Sequence, residues 1–97
     1  MRVVKIKTLS TFWALYPDTE GPLQAWYHHA SAAQWSKPDD VKKDYADASI
    51  LSNNRVVFNI KGNQYRLVVA IHYKSQIIFI RFMGTHAQYD RIDSTRI

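Results

Sequence analysis

RVVFNI (residues 55–60), YRLVVAIHY (65–73) and QIIFIRFM (76–83) follow one another with only short polar separators between them. β-Branched and aromatic side chains fill these segments, and their apolar positions recur with a period of two. The separators, residues 61–64 and 74–75, have the length of hairpin turns. The three segments therefore predict an antiparallel meander, which forms the centre of the fold.

The register of this meander divides its side chains between two faces. Pairing Ile60 with Tyr65 and Tyr73 with Gln76 fixes every other pair, because successive strand side chains alternate. One face is then apolar and is expected to form the core (Val56, Phe58, Ile60, Tyr65, Leu67, Val69, Ile71, Ile78, Ile80 and Phe82). The opposite face is mixed (Arg55, Val57, Asn59, Arg66, Val68, Ala70, His72, Ile77, Phe79, Arg81 and Met83). On this face Arg66 and Arg81 become diagonal neighbours, about 7–8 Å apart at the backbone.

The residues before the meander predict a short strand at residues 2–6 and two antiparallel amphipathic helices. Apolar side chains recur there at helical spacing (Leu9, Phe12, Trp13 and Tyr16 before Pro17; Leu23, Trp26, Tyr27 and Ala30 after Pro22). Thr8 or Ser10 is expected to cap the first helix. A polar connection follows at residues 36–54, with a helical turn at 38–43. We expect an α+β fold in one domain, residues 1–97, with one sheet packed on the helices.

Composition sets limits on the class of protein. With 46% hydrophobic residues the chain has enough apolar surface to fold. It contains no cysteine, which excludes disulfides, thiolate metal sites and a cysteine nucleophile. Charges interrupt residues 1–7 every two or three positions, so this stretch is neither a signal peptide nor a membrane span. We expect a cytoplasmic protein that does not associate with membranes.

The positive charge is unevenly distributed along the chain. Residues 1–54 contain six basic and six acidic side chains, whereas residues 55–97 contain seven and two, so the net charge of +5 lies entirely in the second part. Such asymmetry favours a polyanionic partner, because Lys and Arg neutralise phosphates and release counterions. A merely soluble basic surface explains the charge equally well.

The segment that follows the meander, GTHAQYD (84–90), adds an imidazole, a phenol and a carboxylate to this basic region. It leaves the sheet at the end where Arg66 and Arg81 are expected to lie. Its reactive side chains can therefore fold back over the two arginines (His86, Tyr89 and Asp90). Two neighbouring guanidinium groups repel each other unless an anion joins them. This combination suggests an enzyme that acts on phosphates.

The order of these residues resembles the HigB toxins of the RelE superfamily. The resemblance lies in a set of spaced fragments (Val56-x-Phe58-Asn59, Asn63-x-Tyr65-Arg66-Leu67, Arg81-Phe82-x-Gly84-Thr85-His86 and Tyr89-Asp90, with Trp35 and Pro38 ahead of them) and covers most of the chain. Gln88 departs from it, since glutamate is expected there.

The resemblance implies the toxin of a type II toxin-antitoxin system, a ribosome-dependent endonuclease that cleaves translated messenger RNA in the A site without a cofactor. It further implies a monomeric toxin, neutralised by a cognate helix-turn-helix antitoxin of the HigA type.

Metal-free RNA cleavage needs a base for the 2′-hydroxyl, cationic donors for the phosphorane, and an acid for the 5′-oxygen. Arg66 and Arg81 are expected to hold the phosphorane through paired N–H donors. His86 is the candidate acid or base, because imidazole titrates near neutrality. Tyr89 is a hydroxyl donor or a stacking partner, and Asp90 orients His86 or an arginine. The expected products are a 2′,3′-cyclic phosphate and a 5′-hydroxyl.

Other residues carry weaker expectations. A set of polar and basic side chains is a candidate for RNA contact, although solvated lysines are the commoner case (Asn59, Arg55, Lys61, Lys74 and Lys37). His28 and His29 point in different directions on a helix, and no cluster has the spacing of a metal site. Trp35 is undecided between the core and base stacking.

Two rival functions remain at this stage. One is a ParE-like toxin that poisons a protein target such as DNA gyrase by binding alone, and the other is a simple RNA-binding domain. Neither would require two arginines on one face beside an imidazole, and this combination favours the enzyme.

Overall fold

The computed structural model describes residues 1–97. Its elements are β1 (Arg2–Val4), α1 (Lys7–Leu15), a 3₁₀ turn (Pro17–Thr19), α2 (Glu20–Ala32), α3 (Pro38–Asp44), β2 (Ser49–Ile50), β3 (Arg55–Ile60), β4 (Tyr65–His72), β5 (Ile77–Thr85) and α4 (His86–Tyr89). The α+β class, the N-terminal strand, the helices and the antiparallel meander are confirmed, and α3 contains the helical turn expected at residues 38–43.

The meander is the centre of a five-stranded sheet in the order β1-β5-β4-β3-β2. At one edge, β1 runs parallel to β5 with Arg2 opposite Ile77. At the other edge, β2 runs antiparallel to β3 with Ser49 opposite Val57. A parallel neighbour requires a crossover connection, and the helices lie within the chain that makes it. Short edge strands thus flank the meander on both sides.

The core forms where α1 and α2 pack on one face of the sheet, called here the inner face. Its 18 buried residues include nearly all of the predicted core face of the meander and five residues of the predicted helix stripes (Leu9, Phe12, Leu23, Trp26 and Ala30). The other three stripe residues, Trp13, Tyr16 and Tyr27, are partly buried and pack against this core. Aromatic pairs join the layers: Trp26 contacts Phe58 edge to face with ring centroids 5.4 Å apart, and Phe12 contacts Tyr65 in the same way at 5.7 Å. Edge-to-face contacts of this kind add to the burial of the rings themselves.

Trp35 belongs to this core. Its side chain is 2% exposed, and its ring stacks on Phe58 with centroids 6.2 Å apart. The indole Nε1–H donates to Asp44 Oδ2 at 2.8 Å, and His29 Nε2 lies 3.1 Å from the same oxygen. These hydrogen bonds, that of Trp35 first, lower the pKa of Asp44 from its ordinary value of 3.8. One carboxylate thus links α2, α3 and the connection between them.

The predicted helix caps are wrong. The helix α1 begins at Lys7, so Thr8 and Ser10 lie inside it, and Ile6 at its N-cap provides no side-chain hydrogen bond. Lys5, with a φ of 69°, turns the chain directly from β1 into the helix. In the turn between β3 and β4, the positive φ angles fall on Lys61 and Gly62.

The register between β4 and β5 is correct up to Ile80 and wrong beyond it. Val69 pairs with Ile80, but the next residue of β4, Val68, pairs with Phe82. Arg81 is the extra residue of a β-bulge, and a one-residue insertion moves all later side chains to the opposite face. Met83 is therefore buried in the core at 8% exposure. Phe82, predicted for the core, is half-buried on the other face.

The face opposite the helices, called here the outer face, is not open to solvent along its whole length. Val57, Val68 and Ala70 lie on this face and are buried. The chain after α4, residues 91–97 or the C-terminal segment, returns across them. Hydrogen bonds from three side chains hold this segment. Asn53 Nδ2 donates to Thr95 O at 3.0 Å, and both Arg55 and Arg81, the latter on β5, donate to Ile97 O. The central strand β4 is thus covered on both faces.

The bulge can be tested with a matched pair of lysine substitutions. Met83→Lys should lower the free energy of unfolding by about 3 kcal/mol or more, because the ammonium enters the apolar core. Phe82→Lys should cost less, because the lysine stem can extend to solvent from the half-buried outer position. Urea unfolding followed by tryptophan fluorescence measures both. An unbulged strand would reverse the order of the two variants.

The Asp44 contacts predict a specific dependence of stability on pH. A carboxylate whose pKa is lowered on folding stabilises the protein above its ordinary value, and this contribution disappears as pH falls through the folded pKa. The difference in unfolding free energy between the natural chain and Asp44→Asn should therefore shrink between about pH 5 and about pH 2. Asp39→Asn removes a carboxylate of the same helix that accepts no hydrogen bond, and serves as the control. A constant difference between the natural chain and Asp44→Asn would contradict the assignment.

Candidate active site

The helix α4 is fixed at the point where β5 ends. Thr85 Oγ1 accepts a hydrogen bond from the Gln88 N–H at 3.2 Å, and Gln88 Oε1 accepts one from the Thr85 N–H at 2.9 Å. This is a capping box, which glutamine can form as well as glutamate. The His86 N–H also donates to Gln64 O at 3.1 Å, in the turn between β3 and β4. The start of α4 is thereby tied to the end of β5 and to the turn between β3 and β4.

Three chemically active side chains share one face of α4 and its C-cap. His86, Tyr89 and Asp90 are spaced i, i+3 and i+4, which brings them together on a helix. His86 Nδ1 lies 3.1 Å from Asp90 Oδ2. A carboxylate can only accept, so this contact puts a proton on Nδ1 and leaves Nε2 free to take up or release one. Both side chains are exposed, with 47% and 60% of their surface accessible.

Arg66 lies beside this group. It pairs with Gly84 across the sheet, and its guanidinium carbon is 5.9 Å from the centroid of the Tyr89 ring. Asn63 holds the guanidinium through two hydrogen bonds, from Nη2 to Asn63 Oδ1 at 2.7 Å and from Nη1 to Asn63 O at 3.1 Å. The Nε–H and one Nη2–H have no acceptor within the protein. Arg66, His86, Tyr89 and Asp90 are therefore brought together at one end of the outer face, where part of the Arg66 guanidinium has no partner within the protein.

Arg81 is not the diagonal neighbour of Arg66, and the predicted register between these two residues is wrong. Because of the bulge, the residue opposite Arg66 is Gly84. Arg81 lies three residues earlier in β5, about 10 Å along the strand. Its Nε donates to Ile97 O at 3.0 Å. Arg81 therefore belongs to a different part of the outer face.

The residues expected to contact RNA differ in whether their polar groups already have partners within the protein. Asn59 pairs with Arg66 as expected, but its Nδ2 donates to Asp47 Oδ2 at 3.2 Å. Lys61 forms an ion pair with Asp18 at 2.7 Å, and this hydrogen bond raises the pKa of the lysine. Both side chains are thus occupied within the protein.

The other three basic candidates separate into two groups. Arg55 donates from Nε to Ile97 O at 3.0 Å and from Nη1 to Asn53 O at 2.8 Å. Lys74 and Lys37 form no ion pair; both are exposed, one in the turn before β5 and one at the N-cap of α3. Among the candidates for RNA contact, only these two lysines are surface charges without a partner in the protein.

Comparison with known proteins identifies the family. The HigB toxin family, described as the RelE-like toxic component of a toxin-antitoxin system, matches residues 19–92. The chain belongs to the HigB toxin family. It is similar to the mRNA interferase toxin HigB of Escherichia coli strain K12, being 27% identical over 92 residues that cover 93% of this chain and 88% of that protein. The mRNA interferase HigB of Shigella flexneri matches to the same extent.

The region shared with the HigB family includes α2, the meander and all of α4. Arg66, His86, Tyr89 and Asp90 lie within residues 19–92. Two features of this group are not among the residues expected from the sequence. One is the side chain of Asn63, which holds Arg66, and the other is the capping box, although Thr85-x-x-Gln88 has its usual signature. No helix of the structure is long and apolar enough to span a membrane.

Gly84 is required by the close packing around α4. A Cβ at this position would lie 2.5 Å from Phe82 Cζ and 2.7 Å from Gln88 Oε1. These separations are shorter than van der Waals contact, so either the Phe82 ring or the amide of the capping box would have to move. The absence of a side chain at Gly84 thus permits the capping box to form.

Gly84→Ala should lower the free energy of unfolding by about 1–3 kcal/mol through overpacking. It should also speed amide hydrogen exchange at Gln88, whose N–H is held by Thr85. Gly21→Ala is the matched control, because Gly21 lies in α2 with no atom near the added methyl, and alanine there stabilises a helix by up to about 1 kcal/mol. Equal exchange rates at Gln88 in both variants would contradict the role of Gly84.

Proposed function

We propose that this chain is an endoribonuclease that cuts translated messenger RNA and thereby stops translation. The observation that supports this best is the cluster at the end of the outer face, in which Asp90 contacts His86 Nδ1 and leaves Nε2 without a partner, and Arg66, with unpaired N–H groups, lies against the Tyr89 ring. Membership of the HigB family and the names of the two relatives support the same conclusion.

The proposed reaction uses the 2′-hydroxyl of the RNA as the nucleophile. His86 Nε2 takes the proton of this hydroxyl while the 2′-oxygen bonds to phosphorus, and Asp90 stabilises the imidazolium that results. Arg66 donates its free N–H groups to the phosphorane. The bond to the 5′-oxygen then breaks, and the Tyr89 hydroxyl supplies the proton that this oxygen needs. The products are a 2′,3′-cyclic phosphate and a 5′-hydroxyl.

The proposed partners follow from the family. A toxic component implies a cognate antitoxin, for which we propose a helix-turn-helix protein of the HigA type. The proposed place of action is the ribosomal A site in the cytoplasm, where the messenger is held in single-stranded form, and the proposed toxin is a monomer that requires no cofactor. The two exposed lysines, Lys37 and Lys74, and the arginines of the outer face would contact RNA backbone.

Primer extension on cellular messenger RNA after brief induction of the chain tests the proposal. Cuts should appear inside translated codons. His86→Ala should reduce cleavage by about 10²–10⁴-fold, the usual contribution of a positioned acid or base. Arg66→Lys should reduce it by about 10²–10³-fold, because lysine keeps the charge but loses the forked donors. His28→Ala, which removes an exposed histidine of α2, is the control.

Binding alone, as in a ParE-like toxin or a passive RNA-binding domain, gives a different result. Toxicity would then persist in His86→Ala and Arg66→Ala chains whose urea unfolding is normal, and no cuts would appear. That outcome would overturn the endonuclease proposal.

A further inference from the structure

A cluster of polar side chains outside the candidate active site joins the helix layer to the turn between β3 and β4. Asp18, in the 3₁₀ turn before α2, accepts a hydrogen bond from Lys61 Nζ at 2.7 Å. The Tyr65 hydroxyl donates to the same carboxylate, at 3.1 Å from Oδ2 and 3.3 Å from Oδ1. Lys61 begins the turn at residues 61–64, and Tyr65 is the first residue after it. One carboxylate therefore holds both ends of this turn.

Asp18 and one of its two donors are fixed by the core. The next residue, Thr19, is fully buried and donates to Tyr16 O twice, from its N–H at 2.9 Å and from Oγ1 at 2.7 Å. The Tyr65 ring packs edge to face against the rings of Phe12 and Tyr16, with centroids 5.7 Å and 5.8 Å apart. The carboxylate is thus held in a defined position relative to the start of β4.

The backbone of the turn needs support of this kind. Lys61 has a φ of 54° and Gly62 a φ of 66°, and a residue with a Cβ enters this left-handed region only at a cost in free energy. Such a conformation persists where the surrounding structure holds it. The hydrogen bond between Lys61 and Asp18 is the main cause that lowers the pKa of the carboxyl from 3.8 and raises the pKa of the lysine from 10.5. Both groups are therefore charged at neutral pH, and the ion pair holds Lys61 in place.

The middle of the same turn supports two parts of the candidate active site. Asn63 holds the Arg66 guanidinium through Oδ1 at 2.7 Å and through its carbonyl oxygen at 3.1 Å. Gln64 O accepts the His86 N–H at 3.1 Å, where α4 begins. A displacement of the turn would therefore move the Arg66 donors relative to the His86 imidazole.

We propose that Asp18 is a positioning residue for the cleavage reaction, which clamps the turn at residues 61–64 and thereby fixes Arg66 relative to His86. The inference rests on the proposed function and adds to it a residue that does not contact RNA. An ion pair with side chains 42% and 39% accessible contributes little to overall stability. Reacting groups misplaced by about 1 Å can nevertheless lose about 10²-fold in rate. The effect of Asp18 is therefore expected on catalysis more than on unfolding.

The rate of messenger RNA cleavage on purified, programmed ribosomes tests this role. At saturating toxin, Asp18→Ala should cut about 10–100-fold more slowly than the natural chain. The toxin concentration that gives half the maximal rate should not change, because a carboxylate does not bind phosphates. Asp39→Ala is the control, since it removes an exposed carboxylate of α3 and changes the net charge equally. A normal maximal rate in Asp18→Ala, with or without a lower urea midpoint, would overturn the proposal.

Exchange of the two charges tests the ion pair itself. Asp18→Lys places two ammonium groups together and should slow cleavage more than Asp18→Ala does. Addition of Lys61→Asp restores an ion pair of opposite sense, and aspartate is tolerated at a positive φ. The double variant should therefore recover most of the lost rate. Absence of recovery in a double variant with a normal urea midpoint would contradict the clamp.

Amide hydrogen exchange measures the clamp without RNA. The His86 N–H, which Gln64 O holds, should exchange faster in Asp18→Ala. The Gln88 N–H, which Thr85 holds next to it, should exchange at the natural rate. An unchanged rate at His86 would overturn the clamp, even in a chain that cuts messenger RNA. Absence of cuts with the natural chain would instead overturn the endonuclease proposal and leave the exchange difference, so the two failures are distinguishable.

Discussion

One extra residue in β5 determines the geometry of everything that follows it in the chain. Because Arg81 bulges out of the ladder with β4, Met83 turns into the core and Gly84 faces Arg66 on the outer side. A glycine at that point leaves space for the Phe82 ring and for the amide of Gln88. The capping box can then form, and α4 begins where its reactive side chains meet Arg66. Without the bulge, Phe82 would be directed into the core and Gly84 would lie on the inner face.

Most basic residues of the second half of the chain have partners within the protein, and they do not form one uniform positive surface. Lys61 is paired with Asp18, Arg66 is held by Asn63 under the Tyr89 ring, and Arg55 and Arg81 both donate to Ile97 O. Net charge would bring any polyanion to such a protein. The arginines of the outer face lie in two groups, with Arg55 and Arg81 about 10–13 Å along the strands from Arg66.

The sequence was sufficient to predict the parts of the fold that depend on short-range pattern. The period-two segments and the turn at residues 61–64 gave the register between β3 and β4. The position of residues 84–90 directly after the meander, together with the resemblance to the HigB toxins, supplied the residues of the candidate site. The bulge could not be predicted, because the sequence from Ile80 to Met83 alternates acceptably in either register. Residues 91–97 are mostly polar and without periodicity, and their contacts with Asn53 and Arg55 join positions 42 residues apart. Only the folded chain brings those groups together.

The covering of β4 on both faces has a consequence for biosynthesis. Residues 91–97 follow the helices and the meander in the chain, so Val57, Val68 and Ala70 lack this cover until those residues have been added. The residues that close this apolar surface are translated directly after those of α4. In a nascent chain, completion of the outer face and arrival of the reactive side chains are therefore nearly simultaneous.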